Sequence, residues 1–293
     1  MLDRRALLAA TPAVLLASRA RAALSQAHAA ELAAIERTSS GKLGVFAIDT
    51  GSGRTLAWRA AERFPFCSSF KALLAARVLA KVDRGELKLD QRIAYTPADL
   101  LSYAPIARKH VAEGAMTLGE LCAAAIEYSD NTAANLLLRE IDGPAALTAW
   151  VRATGDDAFQ LSHTETALNL SRLGQPRDTT TPQAMARSFQ RLVLGEVLKP
   201  GSRTQLADWL VANTTGANRL RAGLPSGWRI GDKTGTWSGN GWASTIDVAI
   251  AWPPKGAPLV IAGFVTDTAD SAAGEQALQA VGRVAAAWRE AHG

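Results

Sequence analysis

Ser68 and Lys71 are the residues whose types and spacing first suggest chemistry. They stand in Phe64-Pro65-Phe66-Cys67-Ser68-Ser69-Phe70-Lys71, just ahead of an apolar run of good helix formers, Ala72 to Ala80. The turn at Pro65 ends one element and the run begins another, so Ser68 is expected in the first turn of a helix. Backbone N–H groups there lack intrahelical partners, and the helix dipole favours developing negative charge. Three residues on, Lys71 shares a helix face with the Ser68 hydroxyl. A buried amine beside a hydroxyl is a way to activate serine without histidine. Ser69 has no such partner, since Ala72 follows it at that spacing.

Ser-x-x-Lys is a weak signal alone, because a chain of this length carries roughly one by chance. A second copy, Ser39-Ser40-Gly41-Lys42, holds a glycine and leads into a strand pattern, and it reads as a turn. Three other stretches carry polar groups of matching type. Ser129-Asp130-Asn131 falls between two helical patterns, where Ser, Asp and Asn also serve as plain N-caps. Glu165 and Asn169 lie four apart in a long polar segment, where a carboxylate and an amide on one turn can share a water. Taken alone, that pair reads better as a surface helical turn. Lys233-Thr234-Gly235-Thr236 reads as the end of a strand. Gly235 permits close backbone approach there, and Lys with Thr can hold a carboxylate.

The elements that must position these residues follow in chain order. Gln26 to Thr38 is an amphipathic helical pattern. Leu43 to Asp49 and Thr55 to Trp58 form a hairpin around Thr50-Gly51-Ser52-Gly53. After the Ser68 helix, which is expected to end near Gly85, the pattern stays helical. Thr117-Leu118-Gly119-Glu120 has capping-box form and opens a helix to Tyr128. Helices over Thr132 to Glu140 and Pro144 to Thr154 come next. Residues 155–180 form a loop longer than usual, a length that often marks function. Thr181-Pro182 starts another helix, and Arg203 to Ala212 is helical. Strands return at Trp228 to Lys233, Thr245 to Trp252 and Leu259 to Thr266, with Asn240-Gly241 as a hairpin turn. A helix over Asp270 to Ala291 closes the chain. The pattern predicts an α+β fold: one antiparallel five-stranded sheet covered by helices from both termini, with an all-helical block inserted between strands 2 and 3. The expected division is a sheet domain over 23–62 and 205–293 and a helical domain over 63–204 that carries the 155–180 loop.

Composition bounds the rest. The 293 residues are 48% hydrophobic, enough for a sizeable core. Residues 1–22 read as a removable signal peptide: Arg4-Arg5, an apolar run from Ala6 to Ala17, and a small-x-small site at Ala20-Arg21-Ala22. The paired arginines suggest the twin-arginine export route. That segment holds four arginines against Asp3, so its loss takes the net charge from +5 to +2. Such a balance makes no case for nucleic acid, and no further stretch reaches membrane-spanning length. His28, His110, His163 and His292 are too scattered for metal-ligand spacing, so no metal or other cofactor is expected. No Gly-x-Ser-x-Gly surrounds a candidate serine. Cys67 and Cys122 are the two cysteines, and a core of this size needs no disulfide.

As an ordered set, Ser-x-x-Lys, Ser-Asp-Asn, the loop Glu-x-x-x-Asn and Lys-Thr-Gly are highly specific. From about Leu24 to its C-terminus the chain resembles the class A serine β-lactamases. The resemblance implies a five-stranded antiparallel sheet with an all-helical domain, in agreement with the element order. It also implies residue roles. Ser68 attacks the β-lactam carbonyl, with the backbone N–H groups of Ser68 and Thr236 as oxyanion hole. Lys71 or Glu165 takes the Ser68 proton, and Ser129 passes a proton to the departing ring nitrogen. Asn131 holds the acylamide side chain, and Lys233, Thr234 and Thr236 meet the substrate carboxylate, beside Gly235. Glu165 and Asn169 position the deacylating water. Tyr103 matches a gate aromatic, and Arg219 matches an arginine that supports the carboxylate site.

The expected protein is thus an exported, periplasmic or secreted bacterial hydrolase of small β-lactams, monomeric and free of membrane in its mature form. Two rivals share the acylation residues: a DD-peptidase of the penicillin-binding family, lacking the Glu165–Asn169 water site, and a β-lactam sensor that stays acylated. Three departures from the family pattern stand out. The arginine that many members pair with a loop-closing Asp is His163 here, opposite Asp178, so the loop is expected to close less tightly. Cys67 precedes the nucleophile as in carbapenem-hydrolysing members, but its partner position there is Trp237. The partner position of Cys122 is Ala75, so both thiols are expected to be free. Trp237 and Trp242 flank a turn that is longer than usual; packing suits Trp242, and Trp237 is left between packing and pocket lining.

Overall fold

The computed structural model describes residues 27–291, so the signal-peptide expectation for 1–22 lies outside the described residues. Helix α1 spans 27–39. Strands β1 (Lys42–Asp49) and β2 (Thr55–Trp58) follow as the expected hairpin. Late in the chain come β3 (Arg229–Gly239), β4 (Trp242–Trp252) and β5 (Leu259–Thr268). They make one antiparallel sheet in the order β2-β1-β5-β4-β3. The fold is α+β, with the helical block entering between β2 and β3. The Ser39–Lys42 copy of the motif is a turn, as its glycine indicated.

The longer helices between β2 and β3 are α2 (Lys71–Asp83), α3 (Leu118–Glu127), α4 (Asn131–Glu140), α5 (Gly143–Ala153), α6 (Pro182–Val193) and α7 (Pro200–Val211). Helix α8 (Ser271–Glu290) closes the chain behind an Asp270 N-cap. Thr117 and Glu120 form the expected capping box of α3, and Thr181 caps α6 with Pro182 at its first position.

Both faces of the sheet are covered, which explains why its strands are buried nearly throughout. On β1, Leu43, Val45 and Ala47 pack toward α1 and α8, while Phe46 and Ile48 face the helical block. Period-two alternation therefore sorts side chains between two cores rather than between core and water. Helix α2 runs through the larger core with Leu73, Leu74, Val78 and Leu79 fully buried.

Three expectations are corrected. Ser68 does not sit in the α-helix itself: Cys67–Phe70 is a 3-10 turn, and α2 begins at Lys71. The Lys233–Thr236 stretch does not end a strand, because β3 continues to Gly239 and pairs with β4 along its whole length. Unbroken pairing across both sides of the Asn240-Gly241 turn carries the strand through the glycine-rich segment. Both turn residues have positive φ, 55° and 78°, as a tight two-residue hairpin turn requires. Finally, Asn169 lies in a 3-10 turn, Ala167–Leu170, rather than one helical turn with Glu165.

Candidate active site

The 3-10 turn before α2 lays Ser68 against the middle of β3. A Cβ on Gly235 would stand 2.5 Å from the Phe66 carbonyl oxygen and 3.2 Å from the Ser68 amide nitrogen. No side chain fits in that gap, so only glycine lets the strand pass so close. Cys67, just ahead of Ser68, adopts φ 46°. A left-handed non-glycine residue costs energy that the surrounding packing must offset, and such strain often collects at working sites.

Lys71, in the first turn of α2, has no exposed surface. Its Nζ donates to Ser68 Oγ at 3.0 Å, to the Ser129 carbonyl at 2.8 Å and to Asn131 Oδ1 at 2.6 Å. It also lies 3.0 Å from Glu165 Oε1. Burial pulls the Lys71 amine below the ordinary lysine range, and the Glu165 carboxylate opposes that shift. Ser68 Oγ donates to the same Glu165 oxygen at 2.9 Å. The hydroxyl thus touches two groups able to take its proton.

Ser129 and Asn131 come from the turn between α3 and α4. Asp130 holds that turn. Its Oδ1 accepts from the Ala133 amide, capping α4, while its Oδ2 accepts from the amides of Ile106 and Ala107, both at 2.9 Å. The N-cap reading of Ser-Asp-Asn is therefore correct for Asp130. It does not exclude a chemical role for its neighbours, because capping by Asp130 leaves Ser129 at φ 57° beside Lys71 and Lys233.

Glu165 is held from α4, a partner not apparent from the sequence. Asn135 donates to the Glu165 carbonyl at 2.8 Å and accepts from its amide at 3.0 Å. Asn169 Nδ2 donates to Glu165 Oε2 at 2.8 Å. Asn135 stands four residues after Asn131, on the same face of α4, and that spacing was the available signal.

On β3, Lys233 is fully buried and donates to Ser129 Oγ at 3.2 Å and to the Thr234 carbonyl at 2.9 Å. Burial first, and then the positive charge of Lys71, push it well below the ordinary lysine range. Arg219 lies behind the strand. It donates to the carbonyls of Gly235 and Ile246 and, at 2.7 Å, to Thr236 Oγ1, and it pairs with Glu275. Thr215, another residue the sequence did not single out, meets Thr234 hydroxyl to hydroxyl.

These residues converge on a cavity of about 360 Å³ lined by Ser68, Tyr103, Ser129, Asn131, Asn169, Thr234 and Thr236, together with Thr166, Thr215, Trp237 and Ser238. Lys71, Glu165 and Lys233 are buried at its edge, and Tyr103 stands half exposed at the mouth. Trp237 lines the cavity, while Trp242 packs against it and is buried. In the 155–180 loop the His163 ring nitrogen Nδ1 is 2.6 Å from Asp178 Oδ2. The buried Asp178 also accepts from the amides of Ser162 and His163. Cys67 and Cys122 are both free and buried.

A buried lysine bonded to a serine hydroxyl, a second serine between two lysines and a loop glutamate on the nucleophile together fit acyl transfer to serine. The family model described as the β-lactamase enzyme family matches residues 27–289. The chain belongs to that family. It is 49% identical over 248 residues to β-lactamase AST-1 of Nocardia asteroides, covering 85% of this chain and 79% of that one. It is 47% identical over 249 residues to the carbapenem-hydrolyzing β-lactamase KPC of Klebsiella oxytoca, covering 85% and 84%. The solved structure of an ancestral (GNCA) class A β-lactamase superposes with a TM-score of 0.84 at 53% identity, covering 88% of this chain and 98% of that one. The chain is a class A serine β-lactamase, a β-lactam hydrolase that works through a serine acyl-enzyme.

Proposed function

We propose the following division of labour in this β-lactam hydrolase. Ser68 Oγ attacks the lactam carbonyl carbon. Its proton passes to Lys71 or Glu165, both about 3 Å from the hydroxyl. Negative charge develops on the carbonyl oxygen, facing the amides of Ser68 and Thr236 where β3 passes the nucleophile turn. As the ring C–N bond breaks, Ser129 gives its proton to the departing nitrogen. Its position between Lys71 and Lys233 supports this role, since either amine can restore the proton. Thr234, Thr236 and the charge of Lys233 receive the substrate carboxylate, and Arg219 holds that stretch of β3 in place. Asn131 binds the acylamide oxygen or nitrogen, and Tyr103 borders the entry. Glu165, oriented by Asn169 and Asn135, then takes a proton from water as it attacks the ester.

The observation that carries the reading is the Glu165 carboxylate, which reaches Ser68 Oγ with one oxygen and Asn169 with the other. A group so placed serves hydrolysis of the acyl-enzyme, which favours a hydrolase over a DD-peptidase or a sensor that stays acylated. Mixing the protein with benzylpenicillin and following intact mass tests this. The adduct is expected to form and decay within one turnover, and Ser68→Ala is expected to form none. An adduct on the wild type that persists for hours would support the sensor instead.

We further propose that residues 23–62 with 205–293 and residues 63–204 act as two lobes with the site in the cleft between them. The enzyme is read as a monomer exported by the 1–22 segment to the periplasm or the medium, acting on small β-lactams without nucleic acid, membrane or cofactor. Support comes from the charged, apolar and small-residue order of that segment. No helix among the described residues is long and apolar enough to cross a membrane.

A further inference from the structure

We propose that Arg172 and Trp242 form a latch that holds the tip of the 155–180 loop to the β3–β4 hairpin, and that both are positioning residues for Glu165 and Asn169. The inference rests on the reading of Glu165 given above.

The guanidinium carbon of Arg172 lies 4.1 Å from the centre of the Trp242 ring, well inside the range of cation–π attraction. The same guanidinium is 3.6 Å from Asp267 Oδ1 on β5. One loop side chain thus reaches both strands at the end of the sheet. The hairpin side is built to receive it. Trp242 follows the Asn240-Gly241 turn and is only 8% exposed, although it stands at a strand end. Its other neighbour is Trp237, whose ring centre is 6.1 Å away and which lines the cavity. Gly239 leaves room for that indole, since a Cβ there would lie 3.0 Å from the Trp237 ring.

The loop side connects directly to the chemistry. Arg172 follows Asn169 by three residues, and Asn169 holds Glu165. Asp178 fastens the neck of the loop through Ser162, His163 and Ser171. Ser171, the last of these, stands directly before Arg172, so the latch extends the hold on the loop from its neck to the hairpin. Moving this segment away from the hairpin breaks the stack on Trp242 and the pair with Asp267, three residues from the Asn169 that holds Glu165.

The test uses the full chain and the variants Arg172→Met, Arg172→Lys, Trp242→Leu and the double variant Arg172→Met with Trp242→Leu. Hydrogen exchange needs no substrate. Amides of 164–176 are expected to exchange about fivefold faster in Arg172→Met, while those of β1 stay unchanged. Single-turnover decay of the benzylpenicillin adduct is expected to slow by a similar factor. Arg172→Lys keeps the cation and is expected to keep most of the protection. The double variant is expected to match either single one, because the two residues make one contact. Unchanged exchange over 164–176 in Arg172→Met, or additive effects in the double variant, would overturn the latch. A wild-type adduct that persists for hours would strike the Glu165 reading instead, and the exchange result would still decide the latch.

Discussion

At the scale of single residues, the site is a set of buried charges whose partners sit within hydrogen-bond reach. Lys71 and Glu165 have no exposed side-chain surface, and a buried pair is costly to break on one side only, on the order of 3–5 kcal/mol. Glu165→Ala is expected to trap the acyl-enzyme: Lys71 remains to serve acylation, but no carboxylate remains to activate water. Intact mass after benzylpenicillin should then show a persistent adduct, and rapid return to the free mass would assign the water to another base. A second buried group tests the sheet beneath the site. Asp247 is fully buried, with Oδ2 accepting from the Leu220 amide and Oδ1 without a partner. Burial, and then the neighbouring Asp232, push it well above the usual carboxylate range. The folded state therefore keeps a proton that the unfolded state has lost. Stability is expected to fall as pH rises from the ordinary carboxylate range toward the raised value, by about 1.4 kcal/mol per pH unit. Asp247→Asn removes this dependence, so its stability relative to the wild type should climb as pH rises above the ordinary carboxylate range. Parallel pH profiles from urea melts would refute it.

At the scale of elements, the 155–180 loop is where the chain departs from the family's arginine–aspartate closure. His163 in place of arginine predicts a loosely closed loop. The contacts at its neck are nonetheless numerous. Asp178 gathers two backbone amides and the His163 ring, and Arg63 donates to Thr179 Oγ1 at 3.0 Å. The Gly174 amide also bonds the Arg63 carbonyl. Asp178→Ala leaves the Ser162 and His163 amides of the neck without this acceptor. Exchange across 160–180 is expected to rise at least tenfold and deacylation to slow, with acylation little changed. Equal slowing of both steps would mean that Asp178 supports the whole site rather than the loop.

At the scale of the whole molecule, two cores lie on opposite faces of one sheet. One core fills the space between the sheet and α1 with α8, and the other holds α2 and most of the remaining helices. Cys67 and Cys122 both belong to the second, with no exposed surface. Burial raises both thiols well above their ordinary range, so neither is a ready nucleophile. Iodoacetamide is expected to leave the native protein unmodified at about pH 8, near the ordinary thiol range, and to add two groups after denaturation without reductant. Fast labelling of the native protein would reveal an opening at the nucleophile turn that the packing does not allow.

Local pattern determined much of this protein. Hydrophobic period, caps and turn residues marked the strands, the inserted helices and the Asn240-Gly241 hairpin, because each depends on neighbours a few positions apart. The resemblance to the class A enzymes singled out Ser68, Lys71, Ser129, Glu165 and Lys233, each in a short motif whose spacing is local. The extent of β3 was not legible, since its glycines read as a turn until pairing with β4 carries the strand through them. Neither was the use of Asn135 to hold Glu165 or of Arg172 to cover Trp242, contacts between residues far apart in the sequence. Such pairs come together only when helices and sheet have packed. The tertiary structure alone therefore decided which polar groups face one another, how closely Gly235 approaches Ser68, and how the loop is held against the hairpin.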